Sequence, residues 1–439
     1  MSEQPQQIEL PPIKFFADGS DDDTKKANLD AVLPSPGFPD TALLIADSLS
    51  KRADLIVLDY SAQVVNVRLQ IDGLWHELPQ KDRTSGDYML ASMKKLANLN
   101  YMERRNRQEG EFAAEFLNKK TTFDIVSQGV TTGERVVIHV NRKKPSTETL
   151  SDLGMRQKMI DQLKVHLGKP KGLILVSTLP GDGLTTFYRG VLNGFDRFMR
   201  DYYSIEEVSR VEEEVVNINP VTFDESNGQT AQSVVPDLLL REPDVLVFPD
   251  IPSGAMLDYY CDIALNDEKL VLTRIPAKSS VEAILRVMAL KPTVSKFAEA
   301  LQCVTYQRTI RKVCDACRQP FVPPPQLLQQ LGLPPGRVQT LYNHTQPPPP
   351  EMSVDEKGNP VEVFVCPKCS GVGFRERTGI FELLNVTDAF RKAMLQSSDL
   401  QVLHNLAVSE GHLTLREEGV VHVAKGTTTV QELQRVLQK

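Results

Sequence analysis

No stretch of this chain stays apolar for the roughly 20 residues that a bilayer-spanning helix requires. The opening residues, Met1-Ser2-Glu3-Gln4-Pro5, supply neither the basic flank nor the apolar centre of a secretory leader. The expected location is therefore cytoplasmic, with any membrane contact peripheral or made through a partner. An excess of positive charge is missing as well: 50 Lys and Arg stand against 57 Asp and Glu, a formal net charge of −7. A general nucleic-acid binder concentrates basic residues on one face, so that class is set aside. Histidine is scarce, and its seven copies show neither metal-ligand spacing nor pairing with a nucleophile. At six in 439 residues, cysteine is too rare for a disulfide scaffold. What remains, 41% hydrophobic and 24% charged, is ordinary for a globular chain, and the length allows two or three domains with their own cores.

The cysteines matter by position. Cys261 and Cys303 sit alone in apolar surroundings and are most simply buried small hydrophobes. Cys314/Cys317 and Cys366/Cys369 form two C-x-x-C pairs. In a reducing compartment four such thiols point to a closed tetrahedral metal site, with structural zinc as the expected ion and no open position for catalysis. Lys312, Arg318 and Lys368 flank the pairs and offset the thiolate charge. Residues 320–360 hold 11 of the 29 prolines, including Pro347 to Pro350, and are expected to form a loop without regular secondary structure.

A phosphate-binding loop is present without its lysine. Leu173-Ile174-Leu175-Val176-Ser177 has the character of a buried parallel strand, and Thr178 to Thr186 should turn into a helix running from Phe187 to Phe198. A working loop reads G-x-x-x-x-G-K-[ST], in which glycines bring backbone N–H groups to phosphates, Lys reaches the outer phosphates and Ser/Thr ligates Mg²⁺. Thr178 holds the first glycine position here, Leu184 holds the lysine position, and Thr185 keeps the hydroxyl. The candidate nucleotide-binding residues are Gly181, Asp182, Gly183, Leu184, Thr185 and Thr186. Downstream, Val245-Leu246-Val247-Phe248-Pro249-Asp250 is an apolar strand ending in an acid, the arrangement that orients Mg²⁺ and water. Tyr203 to Val208 is a further strand followed by paired acids. Asp250 and Glu206 are the candidate catalytic carboxylates, with a solvated acidic face through Glu212, Glu213 and Glu214 as the plain alternative for the second.

Residues 1–40 are expected to be a mobile acidic tail, with a short helix over 41–51. Strands are expected at Leu55–Asp59, Val64–Ile71, Phe112–Phe116, Thr122–Ser127 and Arg135–Val140, with a helix at Tyr88–Leu99, so residues 41–150 form an α+β domain. A helical linker over 151–170 is expected to carry the helix Ser151–Leu167, capped by Ser151. Strands Leu173–Ser177, Val245–Phe248 and Leu270–Thr273 alternate with helices near Thr186–Arg200, Gly254–Leu265 and Ser280–Leu290. That alternation predicts an α/β nucleotide-binding core over 171–310 built on a parallel sheet. A cysteine module is placed at 311–376. From 377 to 439 the chain is expected to be helical, with helices at Asp388–Gln396, Asp399–Glu410 and Thr429–Leu437. No internal repeat is visible.

Together these segments resemble the secretion ATPases of type II secretion and type IV pilus assembly. Ile71-Asp72-Gly73, Leu96-Ala97-Asn98-Leu99, Glu103-Arg104-Arg105, Gln108-Glu109-Gly110 and Gly133-Glu134-Arg135-Val136-Val137 follow the order of that family's N-terminal domain. Lys171 to Val176 leads into its phosphate loop, Glu242 to Asp250 resembles its Walker B segment, and the cysteine pairs match its zinc insertion. Arg377-Thr378-Gly379-Ile380-Phe381-Glu382-Leu383-Leu384 is similar to its R-T-G-I-[YF]-E-L-L motif, and Glu418-Gly419 with Gly426-Thr427-Thr428 fits its tail. The resemblance implies a PAS-like α+β domain followed by a RecA-like P-loop NTPase domain with a zinc module and a helical end. It further implies a hexameric ring at the cytoplasmic face of the inner membrane, a membrane platform protein as partner, and ATP with Mg²⁺ as ligands. Arg68 is implied as a nucleotide-contacting residue.

The departures are concentrated. Besides Leu184, Pro249-Asp250 stands where the family has Gly-Glu, and Ile251-Pro252-Ser253 lacks its I-R-D. Thr273-Arg274-Ile275-Pro276-Ala277-Lys278-Ser279 replaces S-T-L-H-T-N-D, so Pro276 takes the histidine position. Glu207-Val208 replaces D-P, Gln70 stands in place of an arginine, and Glu111 in place of the arginine of D-G-R. Arginine and lysine neutralise the transferring phosphoryl group, which a leucine cannot do. Arg274 and Lys278 are the residues available to restore positive charge. The leading expectation is a secretion-ATPase-like subunit with impaired or absent hydrolysis, as a homo-hexamer or in a mixed ring with an active paralogue. A diverged working ATPase and a zinc-containing interaction protein remain the alternatives.

Overall fold

The computed structural model describes residues 10–142, 149–345 and 365–438. It divides into two compact units: residues 1–145 with 314–318 and 344–376, and residues 146–313 with 319–343 and 377–439.

The first unit is an antiparallel sheet covered on one face by helices. Its elements are β1 (Ile13–Phe16), α1 (Asp22–Val32), α2 (Phe38–Ser50), β2 (Ala53–Tyr60), β3 (Val64–Ile71), β4 (Leu74–Glu77), β5 (Lys81–Asp82), α3 (Arg83–Leu96), β6 (Gln108–Phe116), β7 (Lys119–Val130) and β8 (Gly133–Asn141). The strand order is β1-β6-β7-β8-β2-β3-β4, with β5 also paired to β3. Alternate residues of β3, Val65, Val67, Leu69 and Ile71, are buried against Ile45, Met89, Met93 and Leu96 of the helices, as period-2 patterning requires of a one-sided sheet.

Two expectations fail in this unit. The acidic N-terminal stretch is structured: β1 pairs with β6, and Asp21 caps α1 by accepting from the Thr24 N–H at 2.7 Å. Asp21, Asp22 and Asp23 serve as cap and first turn, where carboxylates interact favourably with the helix dipole, so local acidity marks a helix start. Residues 1–9 lie outside the described residues. The cysteine segments are also not a free-standing module. Ser370 donates to the Ser50 carbonyl at 3.0 Å, Arg52 donates to the Phe374 carbonyl at 3.3 Å, and Val372 packs on the sheet core.

The second unit has a parallel sheet buried on both faces. It contains α4 (Gln157–Leu167), β9 (Gly172–Thr178), α5 (Leu184–Asn193), β10 (Tyr202–Glu207), β11 (Asn219–Phe223), α6 (Ala231–Leu239), β12 (Val245–Phe248), α7 (Gly254–Leu265), β13 (Leu270–Pro276), α8 (Ser280–Ala289), α9 (Val294–Ala300) and β14 (Leu301–Val313). It continues with β15 (Gln319–Phe321), α10 (Pro325–Leu331), β16 (Leu341–Asn343), the residues of β17 (Phe374–Asn385) from Arg377 on, α11 (Asp388–Gln396), α12 (Leu400–Ser409), α13 (Leu415–Ala424) and α14 (Val430–Leu437). The sheet order β11-β10-β12-β13-β9-β14-β17 puts β9 near the centre. Ile174 and Val176 face α4 and α5, while Leu173 and Leu175 face α7, α8 and α9. This two-sided burial explains the unbroken apolar runs of β9, β12 and β13.

Four local differences stand out, and two of them have clear physical causes. The expected helix from Ser151 begins only at Gln157, because Gly154 takes φ +98° and any Cβ there would strike the Thr378 hydroxyl. Helix α5 stops at Asn193 rather than Phe198 or Arg200. Residues 320–360, expected to be irregular, contain α10 and most of an antiparallel strand pair, β15 with β16. Pro324 and Pro325 lie at the N-cap and first position of α10, where the lost N–H would be unpaired anyway, and Gly332 closes the helix in the left-handed region. The run Pro347 to Pro350 lies outside the described residues. Lastly, Arg377 to Leu384 is strand β17 rather than the start of the helical end.

Candidate functional site

Strand β9 is wholly buried and releases the chain at its C-terminal end, where parallel sheets present their loops to ligands. Gly181 and Gly183 adopt φ +83° and +82°, a conformation that glycine alone takes without strain. Open space surrounds both, so backbone conformation, not crowding, demands them. Gly183 is the N-cap of α5, whose first residue is Leu184. The helix N-terminus carries a partial positive charge suited to phosphate, but the half-buried Leu184 side chain adds only hydrocarbon. Thr185 is exposed and keeps its hydroxyl, and Thr186 is half-buried behind it.

Asp182 is committed to the fold. Its carboxylate accepts from Arg308 Nε at 2.5 Å and Thr309 Oγ1 at 2.8 Å, and its carbonyl accepts from Gln307 Nε2 at 3.1 Å. All three donors lie on β14, next to β9 in the sheet. The loop is thus held by protein contacts that need no ligand.

Glu206, Arg274 and Tyr188 come together on the α5 face of the sheet. Tyr202, which packs in that face's core, and Glu206 lie on one side of β10; Leu272 and Arg274 share that same side through β13. Glu206 is buried, accepts from the Ser204 hydroxyl, and accepts from the Glu212 N–H at 2.9 Å. The Arg274 guanidinium stacks over the Tyr188 ring at 4.9 Å and is ion-paired with Glu212. Arg189, one turn beyond Thr185 on α5, is ion-paired with Glu213. Burial pushes the Tyr188 phenol far above its ordinary value, so it stays neutral and donates to the Phe248 carbonyl at 3.3 Å. Thr185, Tyr188, Arg189, Glu206 and Glu212–Glu214 line one cleft.

Asp250 behaves differently. Its side chain is 70% exposed, accepts from the Ile251 N–H at 2.8 Å and lies 3.8 Å from the exposed Arg210. It is absent from the lining of the cleft that holds Thr185 and Glu206. Lys278 is exposed, and its backbone N–H donates to Glu282. Arg68 belongs to the first unit, where it pairs with Asp59 at 2.6 Å and lies over Trp75 at 5.4 Å. Sequence reasoning missed the partners that hold these cations, Glu212, Glu213 and Asp59. It named Glu382 within a motif but missed its role: the buried carboxylate accepts from Ser280 N–H, Ser280 Oγ and Leu415 N–H at 2.7–3.0 Å and thereby ties α8 and α13 to β17.

The four paired cysteines converge as their spacing predicts. Their sulfurs lie within 4.8 Å of one another, with Cys314–Cys366 at 3.9 Å and Cys317–Cys369 at 3.7 Å. Zinc–sulfur bonds of about 2.3 Å in a tetrahedron put sulfurs about 3.8 Å apart, so this donor set fits such an ion. Burial raises the Cys366 thiol, but N–H groups of Cys369 and Lys368 outweigh it and bring the thiol to about 7. Lys368 pairs with Asp315 at 2.7 Å beside the cluster. Cys261 and Cys303 are buried, and burial pushes both thiols up to about 12, which makes them inert.

Residues 38–435 match the family described as type II/IV secretion system protein. The chain is 28% identical over 393 residues to the protein transport protein HofB homolog of Escherichia coli, covering 90% of this chain and 80% of that one. It is 26% identical over 431 residues to the type II secretion system protein E of Dickeya dadantii, covering 98% and 78%. It is also 26% identical to the type IV pilus assembly ATPase PilB of Thermus thermophilus, covering 89% of this chain and 42% of PilB. Among solved structures, the Yersinia pseudotuberculosis ATPase DotB superposes with a TM-score of 0.55 at 12% identity, covering 99% of both chains, which shows a shared fold. With a glycine-built loop after a central strand, a tetracysteine cluster, and a family match over nearly its whole length, the chain belongs to the type II/IV secretion system protein family.

Proposed function

We propose that this protein is a secretion-ATPase-like subunit of a type II secretion or type IV pilus machine that hydrolyses ATP poorly or not at all and serves in assembly or regulation. The observation that carries this is the state of the phosphate end of the cleft. Leu184 replaces the cation, Arg308 is engaged by Asp182 of the loop itself, and Arg189 and Arg274 on the α5 face are already neutralised by Glu213 and Glu212. Four glutamates line the cleft with one arginine, Arg189, and even with Arg274 paired to Glu212 at its edge the acids are in excess, which opposes a polyphosphate. The remaining parts fit ATP and Mg²⁺ only in part: Gly181 and Gly183 shape the loop, Thr185 offers a metal-ligating hydroxyl, and Asp250 points to solvent elsewhere.

The four cysteines hold Zn²⁺ in this proposal, as a structural ion. Among the described residues no helix is long and apolar enough to cross a membrane, which agrees with action at the cytoplasmic face of the inner membrane beside a platform protein. Family membership supports ring formation in this proposal, as a homo-hexamer or with an active paralogue. Steady-state ATP hydrolysis by the purified protein decides the matter. Turnover comparable to that of active relatives, abolished by Asp250→Ala, overturns the proposal in favour of a diverged motor.

A further inference from the structure

Between β10 and β11 the chain makes an unusual excursion: Val211-Glu212-Glu213-Glu214-Val215 lies along the cleft at the N-terminal turn of α5. Two features fix it there. The Glu212 N–H donates to Glu206 at 2.9 Å, and the Glu212 carboxylate takes Arg274, which is flattened on Tyr188. Glu213 takes Arg189, on the same helical face as Thr185. Both arginines are incompletely used. Arg274 Nη1 and Arg189 Nε are buried and have no hydrogen-bond partner among the described residues. A buried unpaired donor on a guanidinium calls for an explanation, since native structures rarely leave one. A single carboxylate oxygen per arginine is a poor match for a five-donor fork, whereas a phosphate offers three acceptors and more charge.

We propose that this acidic segment is a built-in substitute for a polyphosphate: Glu212 and Glu213 occupy the two arginines that replace the missing lysine, and removing the carboxylates opens an anion site for the phosphates of a nucleoside triphosphate. This rests on the phosphate-loop assignment above and adds that the cleft is self-blocked rather than stripped of cations. The segment competes with ligand directly, because both need the same guanidinium groups, Arg189 on α5 and Arg274 stacked on Tyr188 of α5.

The test is titration of the full-length protein with a fluorescent ATP analogue and Mg²⁺, with inorganic tripolyphosphate as competitor. The Glu212→Gln/Glu213→Gln variant binds at least about tenfold tighter than the unmodified protein, since one freed charge-assisted hydrogen bond is worth that much. Adding Arg189→Gln and Arg274→Gln removes the gain. Equal or weaker binding by the first variant, with an unchanged melting temperature, overturns the proposal. So does a gain that survives loss of both arginines. If the double variant does not fold, Glu213→Gln alone decides, because that side chain is 71% exposed. A gain of about threefold, the size of an exposed ion pair, is expected, and no gain overturns the proposal. Hydrolysis by the unmodified protein contradicts the proposed function yet leaves this affinity comparison decisive, so the two fail separately.

Discussion

At the scale of single residues, the phosphate loop separates shape from charge. Gly183 is set by its left-handed backbone, so Gly183→Ala should cost about 1–2 kcal/mol, measured by urea denaturation, although open space surrounds the new methyl. Leu184 is set by nothing comparable. Leu184→Lys restores one cation next to a cleft lined by four glutamates, while Asp250 lies outside that cleft and faces solvent. It should change ATP turnover by less than about tenfold, where a well-placed cation is worth orders of magnitude. The absence of the lysine was legible in the sequence. That Arg274 stands beside the loop but is held by Glu212 was not, because residues 62 apart meet only through the sheet order.

At the scale of elements, strand β14 and helix α14 are joined by a buried charge cluster. Glu432 accepts from Arg311 at 2.7 Å and from Arg435, and its side chain is fully buried. Burial opposes its ionisation, but Arg435 and Arg311 outweigh that and hold the carboxyl below its ordinary value. Removing one partner of such a pair leaves buried cations uncompensated, so Glu432→Ala should destabilise by about 3–5 kcal/mol in thermal or urea unfolding. A depressed carboxyl contributes stability above the unfolded value near 4.3, and that contribution is lost as pH falls through the lower folded value. The cysteine cluster carries its own pH dependence. Burial, then hydrogen bonds from Cys369 and Cys314, raises the Cys317 thiol far above its ordinary value, so metal entry must displace protons. Zinc analysis should find one ion per chain at neutral pH, lost on mild acidification and absent in Cys317→Ser/Cys369→Ser. Elements with strong periodicity were legible: Val64–Ile71 and Asp388–Gln396 match their predicted ranges. Strand β14 was not, since its polar residues Gln307, Arg308, Thr309 and Arg311 are satisfied by the phosphate loop and α14, both distant in sequence. Helix α10 was hidden by prolines that sit at its start rather than inside it.

At the scale of the whole molecule, buried neutral histidines set an acid limit on the second unit. Burial lowers His412 despite the opposing pull of Glu382, and burial lowers His422. Both are nearly inaccessible, and in the unfolded chain they titrate near 6.5. Below that pH the unfolded state binds more protons, so stability should fall from about pH 6.5 down to the folded values, by up to about 1.4 kcal/mol per unit of depression for each. Melting temperatures across pH 5 to 8 check this, and a flat profile contradicts it. The two-unit organisation was partly legible, because the switch from alternating strands to strand–helix alternation is local. The allocation of the cysteine segments to the first unit was not, because it depends on Ser50 and Arg52 meeting residues more than 300 positions away.

The anchoring of Asp182 to β14 has a wider meaning. In a loop that ligand must order, losing the ligand means losing the shape. Here Arg308, Thr309 and Gln307 hold the turn from the neighbouring strand, so its shape has a support that is not a ligand. Such a loop tolerates a leucine at position 184 without disturbing the sheet beneath it, because the side chains that fix its turn come from the strand next door.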